Sequence, residues 1–142
     1  MKTKKFIGFC LGLLFFGATL AFSQARILSS QEFGVVYFSV DSENYTQRVR
    51  SVTLVDYSDN TTQIAIYYRD GTETEYIYLR NPRHFGTRVE FDVSITDSFK
   101  RRTANLVGTM SNMDDGVLHI GITEKGSTSG LYLIALALKK MH

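Results

Sequence analysis

The sequence predicts an all-β domain, a single antiparallel meander of about seven or eight strands that closes into a small barrel or a sandwich. The first observation is period: every second residue of "RVEFDVSIT", residues 88–96, is apolar, which puts the two sets of side chains on opposite faces of a strand. The second is spacing, since polar turn sequences recur about every ten residues. The third is that the single proline, Pro82, falls between two predicted strands, where it interrupts no ladder of hydrogen bonds.

Residues 1–25 are predicted to be a signal peptide that precedes this domain. Three lysines among the first five residues are followed by an uncharged apolar segment, residues 6–22. Ser23 and Ala25 then have the spacing of a cleavage site. An uncleaved membrane anchor is the alternative, but the apolar segment is shorter than the roughly 20 residues of a spanning helix, which favours cleavage. The protein is therefore expected to be exported, to the periplasm or the exterior of a bacterial cell, with residues 26–142 as one domain.

Cleavage, either before Arg26 or two residues earlier, changes the charge and the cysteine content of the protein. The full chain has 16 basic and 14 acidic residues, and three of the basic ones are the lysines of the leader. The remaining 13 basic and 14 acidic residues give a net charge of −1, which does not favour nucleic acid as a partner. Cys10, the only cysteine, is removed as well, so neither a disulfide nor a cysteine metal site is expected.

The predicted strands follow one another with short polar turns between them. "FGVVYFSV", residues 33–40, is apolar on both faces and so predicts a strand at the centre of the sheet. Residues 131–138 are almost wholly apolar and predict a buried strand that covers a sheet edge. Their leucine and alanine content leaves a short helix as the alternative. Alternating apolar residues predict the other strands, which lie in "RVRSVTLVDY", "TQIAIYYR", "TETEYIYLR", "RVEFDVSIT", "RTANLVGTM" and "GVLHIGITE".

The hairpin "IAIYYRDGTETEYIYL", residues 64–79, contains four of the eight tyrosines. Asp70-Gly71 predicts a two-residue type I′ turn, and such a turn sets Ala65 opposite Tyr76. One face of the hairpin is then aliphatic and belongs on the core; it carries Ile64, Ile66, Tyr68, Ile77 and Leu79. The opposite face carries the other three tyrosines, Tyr67, Tyr76 and Tyr78.

Two sets of residues are candidates for a partner-binding surface. Tyrosines on a sheet face supply contact area at low entropic cost and suit a protein or a glycan partner, although tyrosine also serves simply to cover a sheet. Arginines around the next turn can attract an anionic partner or merely keep that turn soluble. The candidates are Tyr67, Tyr76, Tyr78, Arg80, Arg83 and Arg88. A second basic group, at residues 100–102, is expected at the opposite end of the strand that follows Arg88, and so outside this surface.

The sequence offers little that points to catalysis. It contains no G-x-S-x-G nucleophile elbow, no H-E-x-x-H pair and no phosphate-binding loop. The three histidines, His84, His119 and His142, lie far apart. We therefore expect a binding or structural role with no catalytic residue, metal or cofactor. The alternatives are a lipocalin-like barrel that carries a small apolar ligand and an enzyme of unknown type, whose site distant residues would assemble. The sequence leaves the oligomeric state open.

Overall fold

The computed structural model describes residues 25–95, 106–112, 115–127 and 131–141. The predicted signal peptide lies outside these residues except for its last one, as do the basic group at residues 100–102 and His142. No helix in the described part of the chain is long and apolar enough to cross a membrane. The strands are β1 (Ile27–Val40), β2 (Glu43–Asn44), β3 (Val49–Tyr57), β4 (Thr62–Tyr68), β5 (Glu75–Phe85), β6 (Arg88–Ile95), β7 (Leu106–Asn112), β8 (Val117–Glu124) and β9 (Ile134–Lys140).

Eight of these strands form a closed antiparallel barrel, and the short β2 is an addition to β1. β1 makes the closure, because its first half pairs with β3 and its second half pairs with β9. Phe33 lies at the change-over, paired with Val52 on one side and with Lys140 on the other. Closure removes most of the unpaired edges that an open sheet would have. Of the two predicted architectures, the fold is the barrel.

Large apolar side chains from the described strands pack inside the barrel. Ten of them are less than 2% exposed, namely Phe38, Val52, Ile64, Ile66, Ile77, Leu79, Ile122, Ile134, Leu136 and Leu138. Gly108 of β7 makes room for this packing, because a Cβ there would lie only 2.8 Å from Val93 Cγ2. Burial of this aliphatic surface is the main stabilising contribution to a domain without disulfides.

The two ends of the barrel differ in their connections. Long connections join β1 to β3, β4 to β5 and β8 to β9 at one end, which we call the loop end; the first of them contains β2 and a single 3-10 turn at Thr46–Arg48. The opposite end, which we call the turn end, carries the shorter β3–β4 and β5–β6 turns. Side chains near the loop end therefore have more chain around them than those near the turn end.

The C-terminal segment is a strand, as the sequence analysis preferred, and not a helix. β9 pairs with both β8 and β1, and its alternate residues Ile134, Leu136 and Leu138 are at most 1% exposed. Its apolar character therefore comes from its position as the strand that completes the barrel.

β5 corrects the prediction that Pro82 lies outside a strand. The strand continues past Pro82, and the register between β5 and β6 shifts between Arg80 and Arg83. This shift is a β-bulge, in which Asn81 has a φ of 55° and its side chain donates to Asp92 Oδ2 over 2.8 Å. Asparagine tolerates a left-handed backbone and proline tolerates a bulge, so the two residues interrupt the ladder without ending the strand.

The type I′ turn predicted at Asp70-Gly71 is wrong, although the register that it implied is right. Gly71 has a φ of 76°, but Asp70 is not among the described residues with positive φ. Its carboxylate instead accepts the backbone N–H of Thr72 over 2.9 Å, and β5 begins three residues later than predicted. The type I′ geometry occurs at Asp41 and Ser42 between β1 and β2, where the φ angles are 52° and 68°.

β1 is longer and less buried than predicted. It begins at Ile27, six residues before the predicted start, and Val36 and Tyr37 are 53% and 39% exposed. The register with β9 shifts between Val35 and Tyr37, so Val36 is the extra residue of a bulge. A barrel strand keeps one face toward solvent, which is why apolar residues on both faces did not mean burial on both.

Candidate functional site

The tyrosine hairpin has the predicted register. Ala65 of β4 pairs with Tyr76 of β5, and Gln63 pairs with Tyr78. The predicted core face is buried: Ile64, Ile66, Tyr68, Ile77 and Leu79 are each at most 8% exposed. The other three tyrosines point to the outside of the barrel and are half-buried; Tyr67, Tyr76 and Tyr78 are called the tyrosine surface below.

The rings of the tyrosine surface lie close enough to cover the sheet beneath them. The rings of Tyr76 and Tyr78 are nearly parallel, at 24°, with their centroids 6.3 Å apart. Tyr67 is the diagonal neighbour of Tyr76, because the direct partner of Tyr76 is Ala65, two residues before Tyr67 on β4. Ala65 itself points outward but is only 2% exposed, so the larger side chains around it must cover it. The three tyrosines are therefore one continuous surface.

Hydrogen bonds hold the Tyr78 side of this surface in place. The Tyr57 hydroxyl donates to Gln63 Oε1 over 3.4 Å, and Gln63 Nε2 donates to the Tyr78 hydroxyl over 3.3 Å. On the other side, Arg80 Nη1 donates to Ser94 Oγ over 2.7 Å. A surface that is already ordered loses less side-chain entropy when a partner binds.

Two arginines flank the tyrosine surface and give it a positive margin. Arg80 Cζ lies 5.4 Å from the Tyr78 ring centroid, and Arg50 Cζ lies 5.8 Å from that of Tyr67. Both distances are within the range of a cation–π contact. No ion pair among the described residues involves either arginine. Sequence reasoning missed Arg50 because the β3–β4 register shifts beside it, and no local pattern in the sequence marks such a bulge.

Arg83 and Arg88 lie on the turn-end side of the β5 bulge, whereas Tyr76, Tyr78 and Arg80 precede it. They follow the β5 bulge toward the turn end, where Arg83 Nη1 lies 3.2 Å from Asp92 Oδ1 and Arg88 Nη2 lies 3.7 Å from Glu90 Oε2. The hydrogen bond from Asn81 lowers the pKa of the Asp92 carboxyl, and the charge of Arg83 adds to this effect. Both arginines are thus paired with carboxylates, whereas Arg80 shares the face of Tyr76 and Tyr78.

A second polar cluster, which sequence reasoning missed as a group, lies at the loop end, where β4 ends and β5 begins. The Tyr68 hydroxyl donates to the Glu75 carboxylate, and burial, together with this bond, raises the pKa of Tyr68. Arg48 Cζ lies 5.3 Å from the Tyr68 ring centroid, and its Nη2 lies 3.3 Å from Asp70 Oδ2. The only signal in the sequence was the alternation that puts Glu75 on the core face of its strand.

The described histidines do not form part of either cluster. His84 and His119 are both exposed, and neither side chain makes a hydrogen bond or an ion pair with the residues that the structure describes. Within those residues no group of three His, Cys, Asp or Glu side chains is placed to hold a metal ion.

Comparisons with protein families, with curated proteins and with solved structures found no match for this chain.

Proposed function

We propose that this protein is an exported, non-enzymatic binding module, in which a rigid barrel presents the tyrosine surface, Arg50 and Arg80 to a protein or a glycan partner. The predicted leader at residues 1–25 supports export, and a periplasmic or extracellular bacterial location is part of the proposal. Arg83 and Arg88, which already pair with carboxylates, contribute to the charge of an adjoining surface and not to the contact itself.

The observation that carries the proposal is the fixed hydroxyl of Tyr78, which shares the outward face with Tyr67 and Tyr76. A tyrosine that only covers a sheet has no need of a fixed hydroxyl, yet Tyr78 is held by Gln63 and lies beside Arg80. Tyrosine and arginine are the residue types that contribute most at protein interfaces. Hydroxyl, amide and guanidinium groups on one face also suit the hydroxyls of a sugar.

The test is to remove the rings and keep the fold. The triple substitution Tyr67→Ser, Tyr76→Ser and Tyr78→Ser should abolish capture of a partner from the cell envelope fraction and binding to an array of bacterial surface glycans. Tyr37→Ser is the matched control, because Tyr37 is an exposed tyrosine on a different strand. Thermal unfolding of each variant checks the fold. If the triple variant folds and retains every protein and glycan that the unchanged protein binds, this surface is not the site.

A lipocalin-like carrier is the second candidate, because an eight-stranded closed barrel is the size that holds one small ligand. The bulky, fully buried side chains inside the described strands favour a filled interior instead. Native mass spectrometry of the protein purified from its own cells distinguishes the two. The carrier would be supported, and a filled barrel contradicted, by a small apolar molecule that co-purifies with the protein. That molecule should also stabilise variants substituted at the interior residues Ile64 and Leu136 against unfolding.

A further inference from the structure

Within the described part of the chain, the first half of β1 has a neighbouring strand on one side only. β3 pairs with β1 from Ile27 to Phe33, whereas β9 pairs with it from Phe33 to Val40. On the side of β9, therefore, no described strand pairs with residues 27–32. All six of these residues are exposed. An exposed strand edge of this kind is a template for pairing with another strand.

The direction of the backbone groups follows from the neighbouring pairs. Tyr57 donates its N–H to Thr61, so it faces away from β1, and the alternation of a strand then turns Leu54 toward β1. Leu54 pairs with Gln31, which therefore faces β3. Ser30, one residue earlier, directs its N–H and C=O to the open side. The edge thus presents backbone hydrogen-bonding groups that no described residue satisfies.

Apolar surface lies at this edge and beside it. Ile27 and Leu28 are each 61% exposed. Where β9 ends against β1, an apolar groove of about 560 Å³ is lined by Val35, Val36 and Met141 among others, and Met141 is 49% exposed. A strand added at the edge would cover both the backbone groups and part of this apolar surface.

We propose that the edge at residues 27–32 pairs antiparallel with the same edge of a second copy, so that one sheet runs across a two-fold axis. β9 occupies the edge from Phe33 onward, so the incoming strand fits only where it overlaps residues 27–32. Antiparallel overlap of this segment with itself brings Arg26 of each copy beside Glu32 of the other. Long side chains reach across such neighbouring and diagonal positions.

This charge complementarity favours a second copy over an unrelated strand. Arg26 and Glu32 carry opposite charges at the two ends of the free edge, and neither has an ion-pair partner among the described residues. A two-fold axis uses each pair twice, because the same surface patch appears on both subunits. The interface is distinct from the tyrosine surface, so a test of one does not decide the other.

Sedimentation of the protein expressed from its full sequence, and purified in the form that the cell produces, tests this interface. We expect a dimer that dissociates on dilution. Arg26→Glu and Glu32→Arg should each weaken it about tenfold, because each puts like charges together at two symmetric positions. An equimolar mixture of the two variants should recover the affinity of the unchanged protein, since opposite charges then meet again across the pair.

A second pair of variants tests the backbone contact. Ser30→Pro removes the outward N–H and should abolish the dimer with little loss of thermal stability, since proline is tolerated at a strand edge. Ser30→Ala keeps the N–H and should leave the dimer unchanged. A monomer at every concentration would overturn the proposal and leave the edge to an extended peptide of another protein. A dimer that neither charge reversal nor Ser30→Pro weakens would overturn it as well, because such a dimer uses another face.

Discussion

At the scale of single residues, Tyr68 differs from the tyrosine next to it in sequence. Tyr68 is 8% exposed and faces the barrel interior, where its hydroxyl donates to Glu75. Tyr67 faces outward, and its ring contacts the Arg50 guanidinium. Alternation along β4 alone separates the two roles, so substitutions at adjacent positions should have different consequences.

Tyr68→Phe should lower the free energy of unfolding by about 1–2 kcal/mol, because Glu75 then loses a hydrogen-bond donor at a half-buried position. Tyr67→Phe should change it by less than about 0.5 kcal/mol, as surface substitutions usually do. Urea denaturation of both variants measures the difference. Equal losses would mean that the hydroxyl of Tyr68 contributes no more than that of an outward tyrosine.

Tyr68 should also contribute to the pH dependence of stability. Its pKa is raised in the folded state by burial and by Glu75, so the folded protein favours the protonated phenol. The resulting stabilisation is complete below the ordinary tyrosine pKa of about 10 and is lost as the pH rises above it. The stability of the unchanged protein should thus fall more steeply above about pH 10 than that of Tyr68→Phe. Denaturation series at neutral and alkaline pH compare the two slopes, and parallel slopes would contradict the assignment.

At the scale of single elements, β5 shows how a strand accommodates residues that usually end one. Asn81 takes the left-handed backbone, and its side chain is bonded to Asp92. Pro82 follows within the bulge, where the ladder does not require the backbone N–H that proline lacks. Tyr78 and Arg80 precede this bulge, and Arg83 follows it toward the turn end.

Two substitutions at Asn81 distinguish the backbone contribution from the side-chain contribution. Asn81→Ala loses the hydrogen bond to Asp92. It also places at a positive φ a residue that has a Cβ but no side-chain hydrogen bond to compensate. Asn81→Gly loses only the hydrogen bond. Alanine should therefore be the more destabilising by about 1 kcal/mol. Chemical denaturation of the two variants checks this order. Equal effects would indicate that the bulge relaxes when the asparagine is removed.

Local patterns in the sequence predicted most of the elements but few of their interruptions. Alternating apolar residues identified the core face of the tyrosine hairpin, because a period of two is a local property. The bulges beside Val36, Arg50 and Asn81 were not predictable in this way, since each depends on the pairing of two strands. Arg50 was consequently missed, and the bulge between Arg80 and Arg83 was not foreseen.

At the scale of the whole molecule, closure of the barrel depends on the last strand. β9 lies between β8 and β1, and three of its side chains are almost fully buried. The apolar pattern of residues 131–138 could not distinguish a strand from a helix by itself, because a short apolar run fits either. The segment forms a strand because β8 and β1 would otherwise each leave an open sheet edge, and only a strand can pair with both.

A chain that ends after Leu133 should therefore lose its cooperative unfolding transition, since the core is opened and two sheet edges are exposed. A chain that lacks only the last two residues keeps every strand and is the matched control. Calorimetry and near-ultraviolet circular dichroism measure the outcome. A cooperative transition in the shorter chain would show that seven strands and β2 suffice for a stable core.

Pairing of β1 with β9 also sets the order in which the protein can be completed. Phe33 and Lys140 are 107 residues apart and yet are direct partners. Folds that depend on contacts between distant parts of the chain form slowly, and here the final contact must await the end of synthesis. A chain delivered N-terminus first cannot close before its last strand is available. For the export that we propose, a chain translocated while it is still being synthesised would therefore meet no finished barrel that first has to be unfolded.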